Sequence, residues 1–113
     1  ELALKHPVDL ERCDALDFIR RHAAQPVPGV TRTLIHSIMW QYMPETARRA
    51  IETEMQVIGM GASRKSPLAW LRMEPTDTAQ PHALLTLTLW PSGGTRHLAR
   101  CDYHGRWIEW LDP

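Results

Sequence analysis

The stretch HSIMWQYMPE, residues 36–45, can be read as the end of a strand and as the beginning of a helix. Its first half continues TRTLIHSIMW, residues 31–40, whose β-branched content favours a strand. Apolar neighbours at Leu34–Ile35 and Ile38–Met39 predict burial on both faces, the signature of a parallel strand between two layers. In the second half, Pro44 suits the first turn of a helix, where its missing N–H would have had no partner. Glu45 complements the positive end of the helix dipole. The carboxyl end of such a strand, where the chain hands over to a helix, is where open α/β sheets place their ligands. His36, Trp40, Gln41 and Tyr42 are therefore the candidates of this stretch, with Ile38 and Met39 as core.

Working outward, Ala47, Ala50, Ile51, Met55 and Ile58 keep helical spacing, while Arg48, Arg49, Glu52 and Gln56 are expected to face water. Gly59 and Gly61 are natural stops. Upstream, PVPGV at 26–30 breaks an earlier helix within CDALDFIRRHAAQ, where Leu16, Ile19 and Ala23 share a face. Asp14 either caps that helix or occupies its first turn. Before it, PVDLE at 7–11 alternates like a short strand. Downstream come LAWLRME at 68–74 and a polar, proline-flanked loop at 75–81. HALLTLTLW at 82–90 places Leu85, Leu87 and Leu89 on one face and Thr86 and Thr88 on the other. The turns PSGG and HG, the latter with Gly105 at positive φ, make the last three strands an antiparallel meander. The predicted fold is α/β: a partial three-layer Rossmann-like sheet, with parallel strands from βαβαβ followed by that meander.

The totals narrow the function classes. At 113 residues the chain is a single domain, with 43% hydrophobic and 23% charged residues. Thirteen basic residues balance thirteen acidic ones, which gives no field for nucleic acid or an anionic membrane. No apolar run approaches the roughly 18–20 residues that span a bilayer. ELALKHPVDLERCD carries charges where a secretory signal needs an apolar run. The absence of an initiator Met fits a trimmed or excised chain. Two cysteines, Cys13 and Cys101, make no disulfide framework, so reduced thiols and a cytoplasmic location are expected. His and Cys show no close ligand spacing, which gives no reason to expect a metal. There is no P-loop and no nucleophile elbow.

HSIMWQYMP, PLAWLRMEP, LTLTLWPSGG and LARCDYHGRWIEWL together resemble the C-terminal third of a bacterial family, domain of unknown function 2332. Its members are considerably longer, so the resemblance implies a C-terminal fragment; it brings no activity with it. A second resemblance is topological: parallel strands followed by an antiparallel hairpin are similar to the C-terminal half of a class I S-adenosylmethionine-dependent methyltransferase. It implies that Asp14, in the pair Asp14-Ala15 of Cys13-Asp14-Ala15, meets the adenine amino group. It also implies that residues 36–42 face the reacting methyl group. The glycine-rich loop for the methionine end of the cofactor is not in these 113 residues. Cofactor binding is thus expected of a full-length parent and not of this fragment.

Each candidate also has a plainer reading. Asp14 serves as a helix cap. His36 is a general base, or a satisfied histidine at the rim of the core. Gln41 and Tyr42 do chemistry, or satisfy loose backbone groups at the strand end. Trp40 stacks on a substrate ring, or fills the core. Glu74 binds a polar substrate at the end of its strand, or is a solvated loop acid. Asp102, His104 and Arg106 in DYHGRW fit a turn better than a site. Two function classes follow: a methyltransferase-like domain, and a non-catalytic domain that forms a homodimer through an exposed sheet edge or helix face.

Overall fold

The computed structural model describes residues 1–75 and 80–111. The sheet is built around the helix that follows residues 36–45. This helix, α3 (Glu45–Met60), has Pro44 at its N-cap and Glu45 in its first turn. Its buried side chains are Ile51, Met55 and Ile58, the face that helical spacing predicts. They pack on Leu68, Trp70 and Trp90 of the sheet, together with Ile19 of α2 (Ala15–His22) and its C-cap residue Ala23. Full burial of each large apolar side chain contributes about 1.5–3 kcal/mol, which makes this shared cluster the main stabilising element.

Five strands follow one another across one sheet in chain order: β1 (Arg32–Ser37), β2 (Leu68–Glu74), β3 (Ala83–Trp90), β4 (Gly94–Cys101) and β5 (Ile108–Trp110). β1 and β2 are parallel, joined through α3, and every later pair is antiparallel. The expected meander is therefore present, with Gly105 at φ 76° in its last turn. Thr86 and Thr88 are buried beneath the helices, and Leu85, Leu87 and Leu89 take the opposite face, as the alternation of β3 predicts. Gly59 is not a stop but a close approach inside α3: a Cβ there would overlap the indole of Trp90. The helix ends at Met60, with Gly61 as its C-cap.

Several expectations are corrected. Residues 7–11 form no strand, and Val8 and Leu10 are exposed. Glu11 instead ties this segment to α2 through His22 and Arg21. The parallel part is thus a single βαβ unit and not βαβαβ. A short helix, α1 (Leu2–Lys5), opens the chain where none was expected. β1 is buried on one face only: Ile35 points away from the helices and is 67% exposed. Both helices that pack on the sheet share one face, which makes two layers among the described residues, not three. Ile38 and Met39 are half-buried and not core. The predicted loop at 75–81 lies mostly outside the described residues.

Candidate functional site

Parallel pairing of β1 with β2 puts Ser37 opposite Met73, so both strands finish at the same edge. His36 and Glu74 then project from the helix-covered face at adjoining levels. His36 Nδ1 lies 2.6 Å from Glu74 Oε2. On the other side, the indole Nε1–H of Trp70 donates to His36 Nε2 at 2.9 Å. An indole nitrogen can only donate, so Nε2 must accept and Nδ1 must carry the proton given to Glu74. The three side chains form a directed chain, Trp70 to His36 to Glu74, that fixes the tautomer and ring orientation of the imidazole.

Glu74 is 6% exposed, and its carboxylate has further donors. The backbone N–H of Met39 reaches both of its oxygens, at 3.0 and 3.3 Å, and that of Trp40 reaches Oε1 at 3.2 Å. These contacts explain why β1 stops at Ser37 and not at Trp40. The chain folds back over Glu74 through Ile38, which sits at φ 47°. A β-branched residue there is a steric outlier that the surrounding contacts must hold in place. A single 3-10 turn, Trp40–Tyr42, then leads into α3. Trp40 is thereby laid on His36, ring centroids 5.3 Å apart and planes 14° from parallel, and edge-on to Trp70 at 5.7 Å.

In front of this cluster lies an open cavity of about 260 Å3. Ala15, Phe18 and Ile19 of α2, Leu34 and His36 of β1, and Trp40 form most of its wall, with Cys13 and Glu11 also lining it. Of the sequence candidates, Ala15, His36 and Trp40 come together here. Glu74 stands behind His36 as its acceptor. Asp14 does not line the cavity; its Oδ2 accepts the backbone N–H of Leu16 at 3.1 Å, the helix-cap role. Gln41 and Tyr42 are exposed in the 3-10 turn, Tyr42 at 76%. Trp70 was missed by sequence reasoning, although its position four residues before Glu74 puts the two on one strand face. Arg48 was expected in water, yet it is half-buried beside Trp40.

In this arrangement His36 has both ring nitrogens engaged. Its chemical capacity is to hold a fixed, stacked aromatic surface at the cavity mouth, with no lone pair directed at a bound molecule. The cavity offers apolar and aromatic walls to a flat group, and Glu11 and the Cys13 thiol at its lining.

A search of the curated proteins found no match, and neither did one of the solved structures. A family model described as "Uncharacterized protein conserved in bacteria (DUF2332)" matches residues 1–110, nearly the whole chain and both sides of the site. The chain therefore belongs to this bacterial family, DUF2332.

Proposed function

We propose that this domain binds a small molecule through a flat, mostly apolar ring group at the carboxyl end of β1. The observation that carries this reading is the cavity between α2 and the His36–Trp40 stack, with its aromatic wall locked by Glu74. Its volume of about 260 Å3 decides the size of the occupant. Sites for drug-sized ligands occupy roughly 300–1,000 Å3, so this cavity takes a ring and not a whole dinucleotide-sized cofactor.

The finer form of the reading is that the domain is the C-terminal part of an S-adenosylmethionine-dependent methyltransferase-like protein, whose adenine ring would sit here. Ala15 in the cavity wall supports it, as does the position of the cavity at the carboxyl end of a parallel pair. Gln41, Tyr42 and Asp14 would then act only after the turn or the cap rearranged. Calorimetric titration with adenosine and with S-adenosylmethionine tests both forms. Saturable heat from adenosine supports the ring site, and saturation by S-adenosylmethionine in addition supports the cofactor. Silence from adenosine at millimolar concentration removes the ring site, and silence of the full-length protein toward S-adenosylmethionine removes the cofactor form.

A second reading is favoured by the uncovered sheet face, where Ile35 and Leu89 are exposed beside Leu71, Met73, Leu85 and Leu87. β1 is also an edge strand, with one side unpaired among the described residues. In this reading the domain is a non-catalytic homodimer. Light scattering that gives a monomer at high concentration removes it.

A further inference from the structure

A second cavity lies behind Trp40, on the β3–β4 side of the same sheet face. It holds about 390 Å3 and is lined by Trp40, Arg48, Arg72, Glu74, Thr86, Thr95 and His97, with Pro75 and Leu84. Neither of its arginines forms an ion pair with a carboxylate of the described residues. Arg48 is half-buried in the wall of this cavity. Arg72 lies with its guanidinium 4.1 Å from the Trp70 ring centroid and donates from Nη2 to Thr88 Oγ1 at 3.1 Å. Its Nε is buried without a partner among the described residues.

Two acids lie nearby, and neither forms an ion pair with these arginines. Both oxygens of Glu74 are taken by His36 and by the backbone N–H groups of Met39 and Trp40. Glu52 is exposed and acts on Arg72 only through space. Burial pulls the Arg72 pKa down more strongly than Glu52 raises it. A guanidinium keeps its proton under such conditions, so Arg72 stays charged with its Nε lacking an acceptor among the described residues. Hydroxyls complete the wall: Thr86 Oγ1 is 3.1 Å from His97 Nδ1, and Thr95 Oγ1 is 2.8 Å from Thr88 Oγ1. Each hydroxyl can turn its hydrogen toward an incoming oxygen.

We infer that this cavity is an oxyanion site, which takes the phosphoryl or carboxylate group of a small organic molecule between Arg48 and Arg72. The planar forks of the two arginines suit either oxyanion. The volume exceeds what a bare inorganic ion fills and reaches the range of organic ligands. The inference is independent of the ring site, since the two cavities share Trp40 but have separate charged walls.

The test is an NMR titration of the whole chain with inorganic phosphate, and separately with acetate, at ionic strength held constant with sodium chloride. The expected result is saturable movement of the Trp40, Thr86 and Thr95 amide signals. Saturation by phosphate alone assigns a phosphoryl ligand, and saturation by acetate alone a carboxylate. R48A is expected to weaken binding about tenfold, the loss of one charged donor. R48K restores the charge without the fork and is expected to recover only part of the binding, and an unchanged amide spectrum of R48A away from the cavity guards against a folding defect. The inference is overturned if neither anion saturates, if chloride moves the same signals equally, or if R48A binds as tightly as the parent. None of these results depends on whether adenosine binds in front of His36.

Discussion

Replacing Glu74 with glutamine changes almost nothing in shape and should still be costly. The carboxylate accepts from His36 Nδ1, Met39 N and Trp40 N. A glutamine oxygen in the Oε1 position keeps the two backbone donors. Its NH2 group then faces the Nδ1–H of His36, donor against donor. If His36 shifts its proton to Nε2, the conflict moves to the indole N–H of Trp70, now 2.9 Å from another N–H. Because the chain of bonds starts at a group that can only donate, one bond is lost wherever the proton goes. An unsatisfied buried donor costs about 1–3 kcal/mol, and loss of charge assistance on the rest adds to this, so E74Q should lose about 2–3 kcal/mol. E74A strips all three donors of their acceptor and should lose about 3–5 kcal/mol. Against a typical total of about 5–15 kcal/mol these are large fractions. Urea unfolding of the parent and both variants gives the values, and the Trp70 indole N–H resonance reports the bond directly. A loss under about 0.5 kcal/mol in E74Q, with that resonance unmoved, would refute the directed chain.

Three further outcomes are expected. At Ile38 the positive φ reverses the usual ranking of small residues: I38G should be more stable than I38A by about 1 kcal/mol in urea unfolding, and the opposite order would remove the strain. G59A gains helix propensity of about 1 kcal/mol yet drives a methyl into Trp90; a net loss of about 1–2 kcal/mol and a shifted Trp90 environment in near-ultraviolet circular dichroism are expected, and a stabilised variant would contradict the close approach. The Asp102 carboxyl is held below its usual range, first by the backbone N–H of Arg106 and then by that of His104 and the Arg106 side chain. Its stabilisation is complete above the unfolded value of roughly 3.9 and fades as the pH falls through the lower folded value. The stability gap between parent and D102N should therefore be constant at neutral pH and close in acid; a gap that widens in acid would invert the sign.

The architecture was legible where local pattern and tertiary context agree. Spacing of Ile51, Met55 and Ile58 gave the buried face of α3, and the Leu/Thr alternation of β3 gave its two faces. It was illegible where a pattern needs a partner that the chain does not place beside it. Val8 and Leu10 alternate like a strand, but no neighbouring edge pairs with them. Ile35 reads as core, but no helix lies over its face. The site was half legible. His36, Trp40 and Glu74 were found as strand-end residues. Their linkage was hidden, because it depends on the parallel register that sets Ser37 beside Met73 and on the turn at Ile38. The Glu74 acceptor role follows from that turn: the backbone donors it satisfies exist only once β1 has stopped short. Arg48 departs from its expected water-facing position: it is half-buried and lines a cavity with Trp40.

The central claim is that the cavity before the His36–Trp40 stack holds a ring. It is tested most directly by following the Trp40 indole and His36 ring signals during titration with adenosine, in the parent and in A15F. Ala15 lines the cavity from α2, and a phenyl group there fills the space without reaching Glu74, which is not part of the lining. The expected result is saturable movement of both signals in the parent, and its disappearance in an A15F variant whose amide spectrum otherwise stays folded. Undiminished binding by folded A15F, or a parent that shows no saturable movement, would contradict the account.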